Sequence, residues 1–457
     1  MQPNIYFIGA GGIGMANLER YFLSRGCNVA GYDRTSSPLT EQLEEEGVKI
    51  VYDDNPELIP QQFRDKEKTL VVYTPAVPSD SPILNWFRNG GFQVLKRAAV
   101  LGEITRSSKS ICVAGSHGKT TTSSMIANIL RQPGAPGCNA FLGGILRNTG
   151  SNLVLCDNTP WTVIEADEYD RSFHHLSPTI AVVTSADPDH LDIYGDEEGY
   201  LEGFSHFTSL IKEDGTLLLH TGLNVTPRLK ESVRLMTYSG STLGDWHAEE
   251  IEFGNGTVTF TLAGPEGLRI KNLSPGVPVE INIDNAVGAA AAAIIAGASE
   301  QDVREGLASF KGAKRRFEIL LDGKEGQTAL IDDYAHSPNE VTASIRSVKK
   351  LFPGRKLSVI FQPHLYTRTR DFATEFAASI SEADEVIMPE IYPARELPIP
   401  GVSSEMVLEM VKSPRKSYCE RKDLLNLIKN SNFDILMTLG AADIDLLLPD
   451  IINILKK

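Results

Sequence analysis

The stretch from Ile111 to Thr122 restricts the possible folds more than any other part of the chain. Four β-prone residues, Ile111-Cys112-Val113-Ala114, run directly into Gly115-Ser116-His117-Gly118-Lys119-Thr120-Thr121-Thr122, and a helical pattern expected to begin near Ser123 follows. A strand that feeds a glycine loop and then a helix opens a parallel sheet covered by helices. Backbone N–H groups in such a loop converge on phosphate oxygens. The lysine reaches the β- and γ-phosphates, and the threonine hydroxyl can bind Mg²⁺. The full pattern has glycine where Val113 stands, so this loop is a shortened version. The alternative is a Gly-Lys-Thr arising by chance, and the agreement of strand, loop and helix argues against it. ATP and Mg²⁺ are the expected cofactors, with Gly115, Ser116, His117, Gly118, Lys119, Thr120 and Thr121 around the phosphates.

A similar arrangement opens the chain. Ile5-Tyr6-Phe7-Ile8 turns through Gly9-Ala10-Gly11-Gly12-Ile13-Gly14 into a helix over Met15–Ser24, and a second strand, Asn28–Tyr32, ends at Asp33. Glycines at this spacing, with a downstream acid, are the dinucleotide fingerprint: a tight turn with a helix N-terminus facing a diphosphate. Read alone, the motif fits a nicotinamide-dependent dehydrogenase, or a tight turn that binds nothing. Leu70–Tyr73 then leads into a Pro-rich loop, Thr74–Pro82.

These blocks predict three α/β domains. Residues 1–107 form a Rossmann-like domain. Residues 108–311 form a P-loop ATPase-like domain with a mostly parallel sheet, including strands Trp161–Ile164 and Ile180–Thr184. Residues 312–457 form a second Rossmann-like domain with strands Ala329–Ile331, Leu357–Phe361, Glu385–Met388 and Ile435–Leu439. Ser107–Ser110 reads as a linker, Ile251–Ile283 as antiparallel ribbons, and Ala286–Ala298 as a buried helix too short to span a bilayer. The length of 457 residues agrees with several domains.

A formal net charge of -15 argues against nucleic acid or an anionic membrane as the main partner. Five scattered cysteines fit reduced thiols in a cytoplasm. The first apolar run passes straight into the glycine motif, so no secretory leader is expected.

Polar groups cluster where α/β sheets bind ligands, beyond the carboxyl ends of strands. Glu165-Ala166-Asp167-Glu168-Tyr169-Asp170 follows one strand, and Asp187-Pro188-Asp189-His190 follows the next. Either the acidic stretch is a solvated loop or it supplies oxygen ligands to magnesium. Arg315-Arg316 can neutralise phosphate charge. Asp332-Asp333-Tyr334-Ala335-His336 and Gln362-Pro363-His364-Leu365-Tyr366-Thr367-Arg368-Thr369-Arg370 end two further strands.

Taken together, the chain resembles the Mur ligases over essentially its whole length. The resemblance is carried by GAGGIGM at Gly9–Met15, GSHGKTTT at Gly115–Thr122, EADEYD at Glu165–Asp170 and DHLDIY at Asp189–Tyr194. RRFE at Arg315–Glu318, DDYAHSP at Asp332–Pro338 and FQPHLYTRTRDF at Phe361–Phe372 complete it. The opening and the last of these resemble the alanine-adding branch, and GTHGKT-like loops also occur in folylpolyglutamate synthases.

The resemblance implies a cytoplasmic ATP-dependent ligase of peptidoglycan precursor synthesis, a monomer or homodimer, that joins L-alanine to UDP-N-acetylmuramate through an acyl phosphate. It implies that Gly9, Gly11, Gly12, Gly14, Asp33 and Thr74 hold the UDP-sugar. Lys119, His190, Arg316 and His336 would be catalytic, and Thr120, Glu165 and His190 would hold the metal. Asn282, Asn285, Arg316 and Asp333 would contact ATP, and His364 and Arg368 the amino acid.

Three positions depart from the family pattern: no lysine lies between His190 and Ile211, Ile281 replaces a histidine, and Leu365 replaces an arginine. The rival readings are a ligase that recycles murein peptides, a nicotinamide-dependent dehydrogenase, and a UDP-sugar-binding protein without activity.

Overall fold

The computed structural model describes residues 2–188, 191–241, 244–254, 257–312, 315, 317–394 and 396–456, with the backbone alone at 191, 192 and 325. The chain forms two compact units. The first takes residues 1–247, 264–266 and 285–306; the second takes 248–263, 267–284 and 307–457.

The first unit contains two sheets. In the N-terminal one, β1 (Asn4–Ile8), β2 (Asn28–Tyr32), β3 (Lys49–Val51), β4 (Thr69–Tyr73) and β5 (Gln93–Lys96) pair in parallel, in the order β3-β2-β1-β4-β5. β1 is buried along its whole length, as a central parallel strand covered on both faces must be, which is why Ile5–Ile8 is an unbroken apolar run. The helix Ile13–Ser24 returns Met15, Leu18 and Phe22 to this core.

The second sheet of this unit is built from β6 (Lys109–Ala114), β7 (Asn139–Phe141), β8 (Leu153–Val154), β9 (Trp161–Glu165), β10 (Ile180–Val183), β11 (Thr216–His220) and β12 (Arg234–Ser239). β6 pairs in parallel with β9 on one side and β10 on the other. The chain runs from β6 to β7 and β8 on the β9 side and then crosses from β9 to β10 on the other, which opens a crevice at the carboxyl end of β6. β7 and β8 pair antiparallel at the edge.

Two expectations change here. The helix after β6 spans Lys119–Leu130, so it starts at Lys119 and not near Ser123. Gly118, at φ +82°, turns the chain into it at once. Ser107–Ser110 is not a linker: a helix occupies Arg97–Ser107 and β6 begins at Lys109. The serines instead close the helix end, with Ser107 Oγ donating to the carbonyls of Glu103 and Ile104 and Ser108 Oγ to that of Ile104.

Most of the second unit is a six-stranded sheet. After β13 (Trp246–Gly254), β14 (Thr257–Ala263) and β15 (Arg269–Leu273) pair antiparallel. The ribbon expected to run to Ile283 therefore ends at Leu273, and residues from Ile281 belong to the Ala-rich helix Ile281–Ile295. The sheet itself comprises β16 (Glu318–Asp322), β17 (Ala329–Asp333), β18 (Leu357–Phe361), β19 (Glu385–Met388), β20 (Arg415–Tyr418) and β21 (Ile435–Leu439), in the order β16-β17-β21-β18-β19-β20. Only β16 runs antiparallel. The loops after β17 and β18 therefore leave the same edge, on either side of β21.

Candidate active site

The glycine loop after β6 is held open by its neighbours before any ligand arrives. Gly115 has φ +143°, and a Cβ there would stand 2.2 Å from Thr184 Oγ1 and 2.8 Å from the Ser185 nitrogen. A Cβ on Gly118 would stand 2.7 Å from Asn285 Oδ1. The residues just past β10 fasten the loop from the side. Thr184 Oγ1 donates to the Ala114 carbonyl at 3.1 Å and to that of His117. Ser185 Oγ accepts from His117 N–H at 2.7 Å, and Asp187 N–H donates to Ser116 Oγ at 2.9 Å. Thr122 Oγ1 donates to Asn285 Oδ1 at 3.1 Å. The first N–H groups of the helix Lys119–Leu130 have no carbonyl of their own helix to bind, so they face the loop as donors.

Lys119 bridges this loop to the acidic stretch. Its Nζ lies 2.9 Å from Glu168 Oε1 and 2.8 Å from Oε2, and it also donates to the Gly115 carbonyl. Glu168 is 2% exposed, so the ammonium is what compensates its charge. Glu168 was not among the expected site residues, although it lies in the acidic stretch that the sequence marks. Its backbone is pinned as well, the Tyr194 hydroxyl donating to its carbonyl at 2.6 Å.

Glu165 ends β9 and accepts from the Gly143 N–H at 3.0 Å. Burial pushes its carboxyl above the usual carboxylate range. A hydrogen bond from the Thr120 hydroxyl, the Lys119 ammonium and the Gly143 N–H pull it back down. Thr120 and Glu165 thus stand together as a pair of hard oxygen donors, which fits Mg²⁺ chemistry. The third expected ligand, His190, and the expected phosphate partner Arg316 lie outside the described residues.

The N-terminal glycine turn is also built around close approaches. Gly9, at φ +87°, leaves no room for a Cβ against Thr74, which would be 2.5 Å away. Gly11 N–H donates to Asp33 Oδ2 at 2.6 Å. The acid that a dinucleotide fold presents to a ribose is here turned onto the turn itself, and this weakens the dehydrogenase reading. A Cβ at Gly14 would lie 2.4 Å from Arg97 Nη1, and Arg97 in turn lies 4.0 Å from Asp167. The neighbouring Lys96 pairs with Asp170 at 3.0 Å. Arg97 was missed by motif reading. Its place just past the carboxyl end of β5 is the signal that would have found it.

In the second unit the loops after β17 and β18 carry the expected groups. Asp333 is buried and accepts from Ser344 Oγ. Arg315 is not available to a phosphate: its guanidinium donates to the carbonyls of Ala442 at 3.0 Å and Gly440 at 2.6 Å and sits 3.5 Å from both Asp332 and Asp445. Asp332 is fully buried, and burial pushes its carboxyl up to about 6, against the pull of a Thr438 hydrogen bond and Arg315.

His336 Nδ1 lies 3.0 Å from the Tyr334 carbonyl and 3.4 Å from Glu340. His364 Nδ1 lies 3.4 Å from Arg368 Nη1. Burial lowers the His364 pKa, and the charges of Arg368 and His336 lower it further. Among the described residues, Arg368 has no carboxylate partner, whereas Arg370 is paired with Asp371 at 2.7 Å. Leu365 takes φ +73°, a conformation that aims His364 and Arg368 from one turn. Glu396, another residue that motif reading passed over, accepts from the Thr367 N–H at 3.0 Å beside this turn.

Asn282 and Asn285 are separated by the unit boundary. Asn285 packs on the phosphate loop, and the Asn282 amide donates to the Val277 carbonyl at 3.1 Å. Among the described residues no helix is long and apolar enough to cross a membrane.

Comparison with known proteins agrees with this geometry segment by segment. Residues 4–109 match the Mur ligase family catalytic domain, residues 113–293 the Mur ligase middle domain, and residues 315–441 the Mur ligase glutamate ligase domain. The chain is 54% identical to UDP-N-acetylmuramate–L-alanine ligase of Parabacteroides distasonis, over 99% of this chain and 97% of that one. Among solved structures it is similar to the UDP-N-acetylmuramate-alanine ligase of Thermotoga maritima, with a TM-score of 0.78 at 26% identity over 99% of this chain and 98% of that one. A murein peptide ligase from Psychrobacter arcticus shares the fold, with a TM-score of 0.62 at 23% identity over 99% and 98%. Three α/β domains, a braced phosphate loop and full-length identity above half all lead to one assignment: the chain belongs to the Mur ligase family.

Proposed function

We propose that this chain is a cytoplasmic enzyme that ligates L-alanine to UDP-N-acetylmuramate at the expense of ATP, releasing ADP and phosphate in peptidoglycan precursor synthesis. The observation that carries this reading is the 54% identity, across 99% of the chain, to a relative of that name. The braced loop around Lys119 supports it independently. The proposed division of labour gives residues 1–107 the UDP-sugar, 108–311 the ATP and 312–457 the amino acid.

In the proposed reaction, a carboxylate oxygen of the sugar's lactyl group attacks the γ-phosphorus in line. The bond to the β–γ bridging oxygen breaks and ADP leaves with the electron pair. The neutral amine of alanine then attacks the acyl carbon, and phosphate departs from the tetrahedral intermediate. His336, fixed through Nδ1, is the proposed acceptor of the amine proton. Lys119 and Arg316 oppose charge that grows on the transferring group, and positioning supplies much of the rate. Mg²⁺, held by Thr120 and Glu165 with His190, would neutralise phosphate charge when bound. Gly9, Gly11, Gly12 and Gly14, with Asp33 and Thr74, form the proposed diphosphate turn, to which Arg97 adds a guanidinium. Asn282, Asn285 and Asp333 are assigned to the nucleotide, and His364 and Arg368 to the amino-acid carboxylate.

A phosphate-release assay with ATP, UDP-N-acetylmuramate and each amino acid in turn tests the reading. Release that depends on alanine supports it. Release that depends instead on a murein tripeptide would transfer the chain to the recycling branch.

A further inference from the structure

A second basic site lies at the opposite edge of the central sheet from the phosphate loop. It is a cavity of about 510 Å³, within the range of small-molecule sites. Lys109 and Thr162 stand at the amino-terminal ends of β6 and β9, and Thr179 immediately precedes β10. The phosphate loop leaves the other end of β6, so about 17 Å of strand separates the two.

Four cations line the cavity, Arg25, Arg106, Lys109 and Lys212, and no carboxylate does. In a chain of net charge -15 this is a local reversal of sign. Among the described residues none of the four forms an ion pair. Arg25 lies over the Tyr21 ring at 5.2 Å and Lys109 over that of Trp161 at 5.6 Å. Lys212 Nζ donates to the carbonyls of Thr105 at 2.7 Å and Ser108 at 2.6 Å. Cations held side by side without counter-charge repel one another, and an anion relieves that repulsion. Guanidinium groups and hydroxyls suit phosphate oxygens in particular.

We propose that this cavity binds a small, multiply charged phosphate compound bearing a pyrophosphate group. It lies where the helix Arg97–Ser107 passes into β6. Occupancy ties the end of the first sheet's last helix to the opening strand of the central sheet, which makes the site a means of regulation separate from either substrate. The inference does not depend on which amino acid is ligated.

Titration calorimetry of the full chain with inorganic pyrophosphate tests it. A metal-free buffer and an excess of a non-hydrolysable ATP analogue keep the phosphate loop out of the signal. The expected result is saturable binding that weakens as salt is raised. Arg25→Gln/Arg106→Gln should weaken it by about tenfold or more while leaving affinity for the ATP analogue and the unliganded melting temperature unchanged. Both arginines are exposed, and Arg25→Gln alone serves as a second, milder variant with a smaller loss. Inorganic phosphate should bind more weakly than pyrophosphate. Absence of binding at millimolar pyrophosphate, or equal affinity in wild type and both variants, overturns the proposal.

Discussion

Lys119 shows how one side chain can serve two roles. Its ammonium is the expected phosphate ligand, and it is also the charge that compensates the buried Glu168. Lys119→Ala should therefore abolish ligation and also lower stability by about 3 kcal/mol, because it leaves a buried carboxylate unpaired. Adding Glu168→Gln should restore much of the melting temperature and none of the activity. Calorimetric titration with UDP-N-acetylmuramate should still show binding in the double variant; loss of that binding as well would contradict separate nucleotide sites. At the acceptor end, Leu365 cannot pair with a carboxylate, and Arg370 is already paired with Asp371. Arg368 is left with the role. Arg368→Ala should raise the KM for alanine by roughly 2–4 kcal/mol in free-energy terms while changing that for ATP little. Arg368→Lys should recover part, since an ammonium lacks the bidentate fork. An unchanged alanine KM in steady-state kinetics would shift the assignment to His336.

Among the elements, the phosphate loop and the third sheet carry the sharpest expectations. A Cβ at Gly115 collides with Thr184 and Ser185 at a positive φ, so Gly115→Ala has to displace the residues that fasten the loop. Equilibrium titration should show loss of ATP-analogue binding with UDP-sugar binding kept; retained nucleotide affinity would mean that the loop re-forms elsewhere. In the third sheet, Asp332 carries a proton more readily when folded, its pKa lying at about 6 against 3.8 for the free group. The folded state therefore binds more protons than the unfolded one across that window, and this residue's contribution falls as pH rises from 3.8 to about 6. Asp332→Asn should remove that decline. Denaturant melts of both proteins across the window should show the variant gaining on wild type as pH rises, and parallel curves would refute it. Much of this was legible in the residues. Apolar runs such as Ile5–Ile8 and Val359–Phe361 announce buried parallel strands, and both glycine loops announce their helices. What the sequence concealed depends on approach in space. Ser107 and Ser108 look like a linker and close a helix end, and Arg97 lies far along the chain from the Gly14 it touches.

For the molecule as a whole, three α/β sheets were readable from alternating strands and helices, but their grouping into two compact units was not. Residues 264–266 and 285–306 join the first unit from beyond the start of the second, and no local pattern records such returns. The same limit applies to the site: Glu168 and Glu396 stand out only once their partners Lys119 and Thr367 are seen. The central claim is that the chain activates the UDP-sugar carboxylate as an acyl phosphate and captures it with alanine. Mass spectrometry of the complete reaction, run with UDP-N-acetylmuramate labelled with ¹⁸O in its carboxylate, tests this directly. The expected result is an alanyl adduct of the UDP-sugar together with ¹⁸O in the released phosphate. Released phosphate that carries none of the label, or phosphate released with no alanyl adduct, would contradict it.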